Sequence, residues 1–294
     1  MPLRLDGLHT AIVTPFTHSL AIDKDAYESH IRRQIEDGVN GLVVCGTTGE
    51  SPSFSDEEFE YLIRTAVTVS DGNCRIIAGS GANSTQKTLH RSKIAEREGA
   101  DALLIVAPYY NKPTQQGIAA HYTTIADSVE ISLMIYNVPG RTSVNITPDT
   151  IARLAEHDNI NSVKEASGDM NQIMDIIQKV PDDFAVLSGD DAMTLPLIAA
   201  GGQGVVSVAA NEAPRLMKNY VEACLNSNTK KAQELHYKLL PLMRANFWQS
   251  NPIPVKAALG MMGHMENILR LPMVPLDEEL VSKLKTVLND LDLL

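Results

Sequence analysis

Residues 159–169 read NINSVKEASGD, and Lys164 stands where a strand buried on both faces would ordinarily carry Val or Ile. The adjacent Glu165 cannot neutralise it from the same side, because successive strand residues point to opposite faces. If Lys164 points into a closed interior, lost hydration favours the neutral amine. Its reference pKa of about 10.4 then falls, by as much as 3 to 5 units in the extreme. A neutral amine shielded from water attacks ketones to give a Schiff base. The competing reading is a structural ion pair, or a lysine whose stem is buried while its head reaches water. Lys164 alone leaves both open.

Other residues at the ends of apolar runs suit imine chemistry. Forming and collapsing a carbinolamine needs a proton donor and acceptor that works without bulk water, and the phenol of Tyr136 serves. Thr47 and Thr48 offer hydroxyls and N–H groups to orient that phenol or to hold a carboxylate. Arg141, one helical turn past Tyr136, has the planar fork that clamps a carboxylate bidentately. Each also has an ordinary structural reading: a half-buried aromatic, turn chemistry and a rim salt bridge.

Rival chemistries find less support. The eight histidines are scattered with no HxH or HExxH, so metal-assisted hydrolysis lacks its ligands. GSGAN (79–83) lacks the GxSxG spacing of a serine nucleophile. GTTGES and SGDD could present backbone N–H groups to a phosphate, but Asp190 and Asp191 would oppose it there.

The elements that must position these residues are regular. HTAIVTPF, GLVVCGTTGE, RIIAGSGAN, ALLIVAPYY, ISLMIYNVP, SVKEAS, FAVLSGDD and GVVSVAAN are continuous apolar runs, each ending in turn-forming or polar residues. Amphipathic helices lie between them. Ser55 and Glu58 form a capping box ahead of Phe59, Leu62, Ile63, Ala66 and Val67. Thr147–Pro148 opens another helix. Ile173, Ile176, Ile177 and Val180 form a further stripe. Eight such units predict an α/β fold, a (β/α)8 TIM barrel over residues 1–228, in which the active site lies at the C-terminal strand ends. A doubly wound open sheet would carry GxGxxG after its first strand, where this chain has TPFTHSL. Residues 229–294 read as a C-terminal helical extension packed on the barrel, its last helix opening near Asp277.

The 294 residues carry a formal charge of −11, which disfavours nucleic acid or an anionic membrane surface as partner. No apolar run reaches the ~20 residues of a membrane span, and the N-terminus shows no signal core. Cys45, Cys74 and Cys224 lack metal-ligand spacing and suit a reducing, cytoplasmic setting.

VVCGTTGES, APYYNKP, YNVPGRT, VKEASGD, LSGDD, GVVSV and NPIPVK occur in the order found in the dihydrodipicolinate synthase / N-acetylneuraminate lyase family of class I pyruvate aldolases, and the chain resembles that family from about Gly7 to its C-terminus. GTTGES together with YNVPGRT resembles the synthase branch. That resemblance implies pyruvate held as an imine on Lys164, its carboxylate gripped by Thr47 and Thr48, with L-aspartate 4-semialdehyde as second substrate, bound by Arg141. It implies a proton relay of Tyr136, Thr47 and Tyr110, the last reaching in from a neighbouring subunit, and main-chain carbonyls of Gly189 and Val206 lining the site. The product leads toward lysine and diaminopimelate. No metal or organic cofactor is expected, and a homotetramer is. One departure stands out: lysine-inhibited members carry His and Glu in an effector pocket near Asn83 and Tyr109, where this chain has Phe59 and Lys87. Weak or absent inhibition by L-lysine is therefore expected. The alternatives are another pyruvate-dependent lyase, acting on N-acetylneuraminate or a 2-keto-3-deoxy sugar acid, or a catalytically silent barrel.

Overall fold

A computed structural model of the protein describes residues 3 and 5–294. Residues 1, 2 and 4, part of the expected 1–228 unit and of the stretch read for a signal core, lie outside the described residues.

Eight parallel strands close into one barrel in chain order: β1 (Gly7–Ala11), β2 (Gly41–Val44), β3 (Arg75–Gly79), β4 (Ala102–Val106), β5 (Ser132–Asn137), β6 (Ile160–Glu165), β7 (Ala185–Ser188) and β8 (Gly204–Ser207). β8 pairs back onto β1, with Gly7 beside Gly204 and His9 beside Val206. The continuous apolar runs follow from this closure. One set of residues, including Ala11, Val43, Met134, Leu187 and Val206, packs together inside the barrel. The alternate set, including Leu8, Leu42, Leu103, Ile135 and Val205, packs against the helices.

The helices begin where side-chain chemistry starts them. Ser55 caps Asp56–Ser70 with its hydroxyl on the Glu58 N–H, and the Glu58 carboxylate accepts the Ser55 N–H in return. Thr147 caps Pro148–Leu154. The stripe of Ile173, Ile176 and Ile177 lies on Met170–Lys179, but Val180 is already extended beyond its end.

Two strand runs stop earlier than their apolar composition suggests. After Val44 the chain turns at once, because Cys45 adopts φ +56°. That turn brings the Cys45 carbonyl so close to Gly79 that a Cβ there would lie 2.3 Å from its oxygen, so β3 ends in glycine. β8 stops at Ser207, and Ala209–Asn211 forms a 3-10 turn rather than more strand. The cause is local competition for backbone donors. The Asp191 carboxylate accepts the N–H groups of Val208 and Ala209, at 2.9 and 3.0 Å, and Ser207 Oγ accepts that of Ala210.

Beyond the barrel strands and the helix Pro214–Leu225 come three further helices, Thr229–Ala245, Ile253–Met261 and Glu278–Asn289, the last preceded by Asp277. Leu235, Leu239, Leu242, Leu284 and Leu288 bury their faces in the same outer core as the barrel helices. Among the described residues no helix is long and apolar enough to cross a membrane.

Candidate active site

Register alone places the two central groups side by side. Tyr136 of β5 pairs with Lys164 of β6. Both side chains are 6% exposed, and Lys164 Nζ lies 4.3 Å from the centre of the Tyr136 ring. Among the described residues no carboxylate lies within ion-pair distance of that amine. Glu165 points away, as alternation requires, and accepts hydrogen bonds from Asn137 Nδ2 and the Ser167 N–H.

Burial dominates the electrostatics. Desolvation lowers the Lys164 pKa to about 7, with the Arg141 charge acting in the same direction and the Asp191 carboxylate opposing both. Near neutrality a substantial fraction of the amine is therefore unprotonated. Desolvation moves the Tyr136 phenol the other way, above its ordinary value, against smaller pulls from Arg141 and the Thr47 hydroxyl. Tyr136 thus keeps its proton when the lysine has given its own up. A nucleophile and a proton donor stand together, both almost fully withdrawn from bulk water.

The remaining groups are set around this pair. A cavity of about 270 Å³ opens beside it, with Thr47, Tyr136 and Arg141 among its lining. Arg141 sits on the short helix Pro139–Thr142, directly after β5, with its side chain exposed at the mouth. Thr48 is buried, and its hydroxyl oxygen accepts a hydrogen bond from Asn251 Nδ2 at 2.9 Å. Gly189 follows β7 and touches the lysine stem: a Cβ there would come within 3.1 Å of Lys164 Cγ and Cε and 2.7 Å of Ala166 Cβ. Val206 is buried on β8, in the same interior cluster as Tyr136.

Of the expected site residues, Thr47, Tyr136 and Arg141 line the cavity, whereas Lys164, Thr48, Gly189, Val206 and Tyr110 do not, and Tyr110 differs from the other four in facing solvent. It is 88% exposed, at φ +73°, and does not line the cavity; its neighbour Tyr109 does. A contribution from Tyr110 within the single chain is thus ruled out by position, and what it could offer is offered outward.

The place where a barrel commonly binds phosphate is filled from within. Backbone N–H groups of Val208 and Ala209 already donate to Asp191, whose carboxyl is pushed up to about 6, principally by burial. A phosphate there would have to displace a buried carboxylate.

Several supporting residues have no counterpart among the expected site residues. Asn211 joins β8 to β1, with its Nδ2 donating to the carbonyls of Ala11 and Val208 and its Oδ1 accepting the Val13 N–H. Lys256, 0% exposed, donates to Glu50 Oε1 at 2.7 Å and to the Thr14 carbonyl at 2.9 Å. The signal for Lys256 is the one that exposed Lys164: a single charge inside an apolar run, here IPVKAALGMM.

Known proteins resemble the chain over nearly its whole length. Residues 4–291 match the dihydrodipicolinate synthetase family. Over 292 residues the chain is 48% identical to the 4-hydroxy-tetrahydrodipicolinate synthase of Thermotoga neapolitana, spanning 98% of this chain and 99% of that one. It is also 48% identical, over 286 residues, to the protein of that name from Koribacter versatilis, spanning 97% and 95%. The crystal structure of dihydrodipicolinate synthase from Thermotoga maritima superposes with a TM-score of 0.97 at 46% identity, covering 99% of this chain and 100% of that chain. With a family match over nearly its whole length and close relatives covered end to end, the chain belongs to the dihydrodipicolinate synthetase family.

Proposed function

We propose that the chain is a lyase that condenses pyruvate with L-aspartate 4-semialdehyde to 4-hydroxy-tetrahydrodipicolinate, at the entry to lysine and diaminopimelate synthesis. The observation that carries this reading is the buried Lys164, without an ion-pair partner among the described residues, beside a Tyr136 whose phenol holds its proton more tightly than usual.

In the reaction, neutral Lys164 attacks the C2 ketone of pyruvate. Tyr136 supplies the proton that lets the carbinolamine lose water, giving an iminium. The positive nitrogen draws electrons from C3, and the C3 proton returns to the Tyr136 phenolate. The resulting enamine attacks the aldehyde carbon of the semialdehyde, whose oxygen takes a proton from the regenerated phenol. The amino group of the second substrate then displaces Lys164 at C2 and closes the ring. The iminium itself is the electron sink, so the proposed reaction needs no further cofactor. Thr47 and Thr48 hold the pyruvate carboxylate, with main-chain carbonyls at Gly189 and Val206 as nearby acceptors. Arg141, at the mouth, grips the carboxylate of the semialdehyde bidentately.

A cytoplasmic homotetramer, built as a dimer of dimers, completes the proposal. The outward display of Tyr110 supports it, since an exposed phenol can be lent to the relay of a neighbouring copy. A lyase for N-acetylneuraminate or a 2-keto-3-deoxy sugar acid is disfavoured by Arg141, which suits a short carboxylate-bearing aldehyde better than a polyol. Coupled assays with each aldehyde separate them.

The central test is to incubate the protein with pyruvate, reduce with borohydride and locate the modified residue by mass. The expected adduct is on Lys164 and is absent from Lys164→Ala; no adduct on the intact protein ends the aldolase reading. L-Lysine is expected to inhibit weakly or not at all. Phe59 is buried beneath the Arg91 guanidinium and Lys87 is exposed nearby, so cations stand where an effector ammonium would need carboxylates. A half-effect below about 1 mM would contradict this.

A further inference from the structure

The turn carrying Thr47 and Thr48 is held from a distant part of the chain. Glu50, three residues on, is in the left-handed conformation at φ +61° and is 5% exposed. Its N–H donates to the Thr47 carbonyl at 3.1 Å. Its two carboxylate oxygens are both taken by the C-terminal region. Lys256 Nζ donates to Oε1 at 2.7 Å, and the Arg270 N–H donates to Oε2 at 3.0 Å. Arg270 Nη1 also donates to the Ser53 carbonyl at 3.1 Å, at the far end of the same turn. Lys256 is fully engaged in turn, by Glu50, by the Thr14 carbonyl after β1, and by the Phe16 ring, whose centre lies 4.2 Å away. A second arm reaches the other threonine. Asn251 Nδ2 donates to Thr48 Oγ1, so the Thr48 hydroxyl must direct its own proton elsewhere, toward an acceptor.

A buried ion pair is a poor way to add stability, since apolar residues of the same volume often do as well. What it provides is one fixed arrangement of the groups it joins: Glu50 leads by a single hydrogen bond to the Thr47 carbonyl, and Asn251, outside the ion pair, reaches Thr48 by another. We propose that Lys256, Glu50 and Asn251 are positioning residues that hold the Thr47–Thr48 cradle in the geometry that grips the pyruvate carboxylate. The inference rests on the aldolase reading and extends it: the C-terminal helices set affinity for the first substrate without touching it.

The test uses the full chain. Lys256→Met combined with Glu50→Gln removes both charges together and leaves neither buried alone. The expected result is a cooperatively folding protein whose KM for pyruvate is raised about tenfold, while kcat falls by no more than about threefold, because a carboxylate grip acts on ground state and transition state alike. Asn251→Ala, which cuts the second arm separately, is expected to raise the same KM about fivefold and to leave the KM for the aldehyde within about twofold. If both variants fold and keep the KM of the intact protein, the proposal is overturned. Should the double variant fail to fold, Asn251→Ala decides alone: a raised pyruvate KM supports the clamp and an unchanged one overturns it. Borohydride trapping on the intact protein runs beside these assays. An adduct at Lys164 with unchanged variants removes only the clamp, whereas no adduct removes the aldolase reading and the clamp together.

Discussion

The barrel buries two lysines, and they are opposites. Lys164 is 6% exposed and Lys256 0%, and each amine lies just over 4 Å from the centre of an aromatic ring, Tyr136 in one case and Phe16 in the other. The difference is the partner. Lys256 has the Glu50 carboxylate at 2.7 Å and a carbonyl at 2.9 Å, which oppose the desolvation that still lowers its pKa. Lys164 has no carboxylate within ion-pair distance among the described residues, so desolvation prevails and its pKa falls to about 7. Burial alone does not make a lysine reactive. Burial with the counter-charge withheld does.

Exchanging each lysine for methionine of similar volume should therefore separate function from stability. Lys164→Met is expected to lower kcat by about 10⁴-fold or more, the scale on which other covalent nucleophiles act. Its thermal midpoint should be unchanged or higher, since a lone buried amine is replaced by a thioether. Activity within tenfold of the intact protein would break the comparison.

Lys256→Met alone is expected to do the reverse in stability. It strands the Glu50 carboxylate without its cation, a loss on the order of 3–5 kcal/mol by denaturant titration, since removing one partner of a buried pair leaves the other uncompensated. A loss below about 1 kcal/mol would mean that Glu50 finds water or protonates easily, and that the two lysines differ less than their geometry says.

The smallest effect is a matter of pH. Below about pH 7 Lys164 is protonated and cannot attack a ketone, so the rate of imine formation should fall on the acid side with an apparent pKa near 7. Stability should follow a related course. Between the folded value near 7 and the ordinary value of 10.5, the unfolded chain binds the extra proton, so stability rises with pH across that window, by at most ~1.4 kcal/mol per unit. Lys164→Met should abolish that component in a difference measurement. A rate profile flat from pH 6 to 9 would count against a depressed lysine.

Much of this was legible from residue order because parallel strands buried on both faces leave uninterrupted apolar runs, and all eight runs are strands of the barrel. The pairing of Tyr136 with Lys164 followed from chain order and strand ends. What escaped was decided by side chains distant in sequence. β8 looked longer than it is because nothing in GVVSVAAN shows that Asp191 captures two of its N–H groups. Asn251 and Lys256 lie in NPIPVK, a motif visible as a resemblance but mute about its contacts, since Thr48 and Glu50 are some two hundred residues away. Tyr110 follows a strand end as expected and faces outward, but its left-handed backbone is nothing that composition reveals.

The contact of Gly189 with the Lys164 stem has a kinetic side. A free lysine side chain carries roughly 2 kcal/mol of rotamer entropy, much of which is lost when its tip must meet a carbonyl carbon at a set angle. Here the stem lies against a backbone that admits no Cβ, with Ala166 closing the same space. The four-carbon tether is thus confined on this side before substrate arrives. That share of ordering the nucleophile becomes part of folding, done once in the life of the molecule and not again at each turnover.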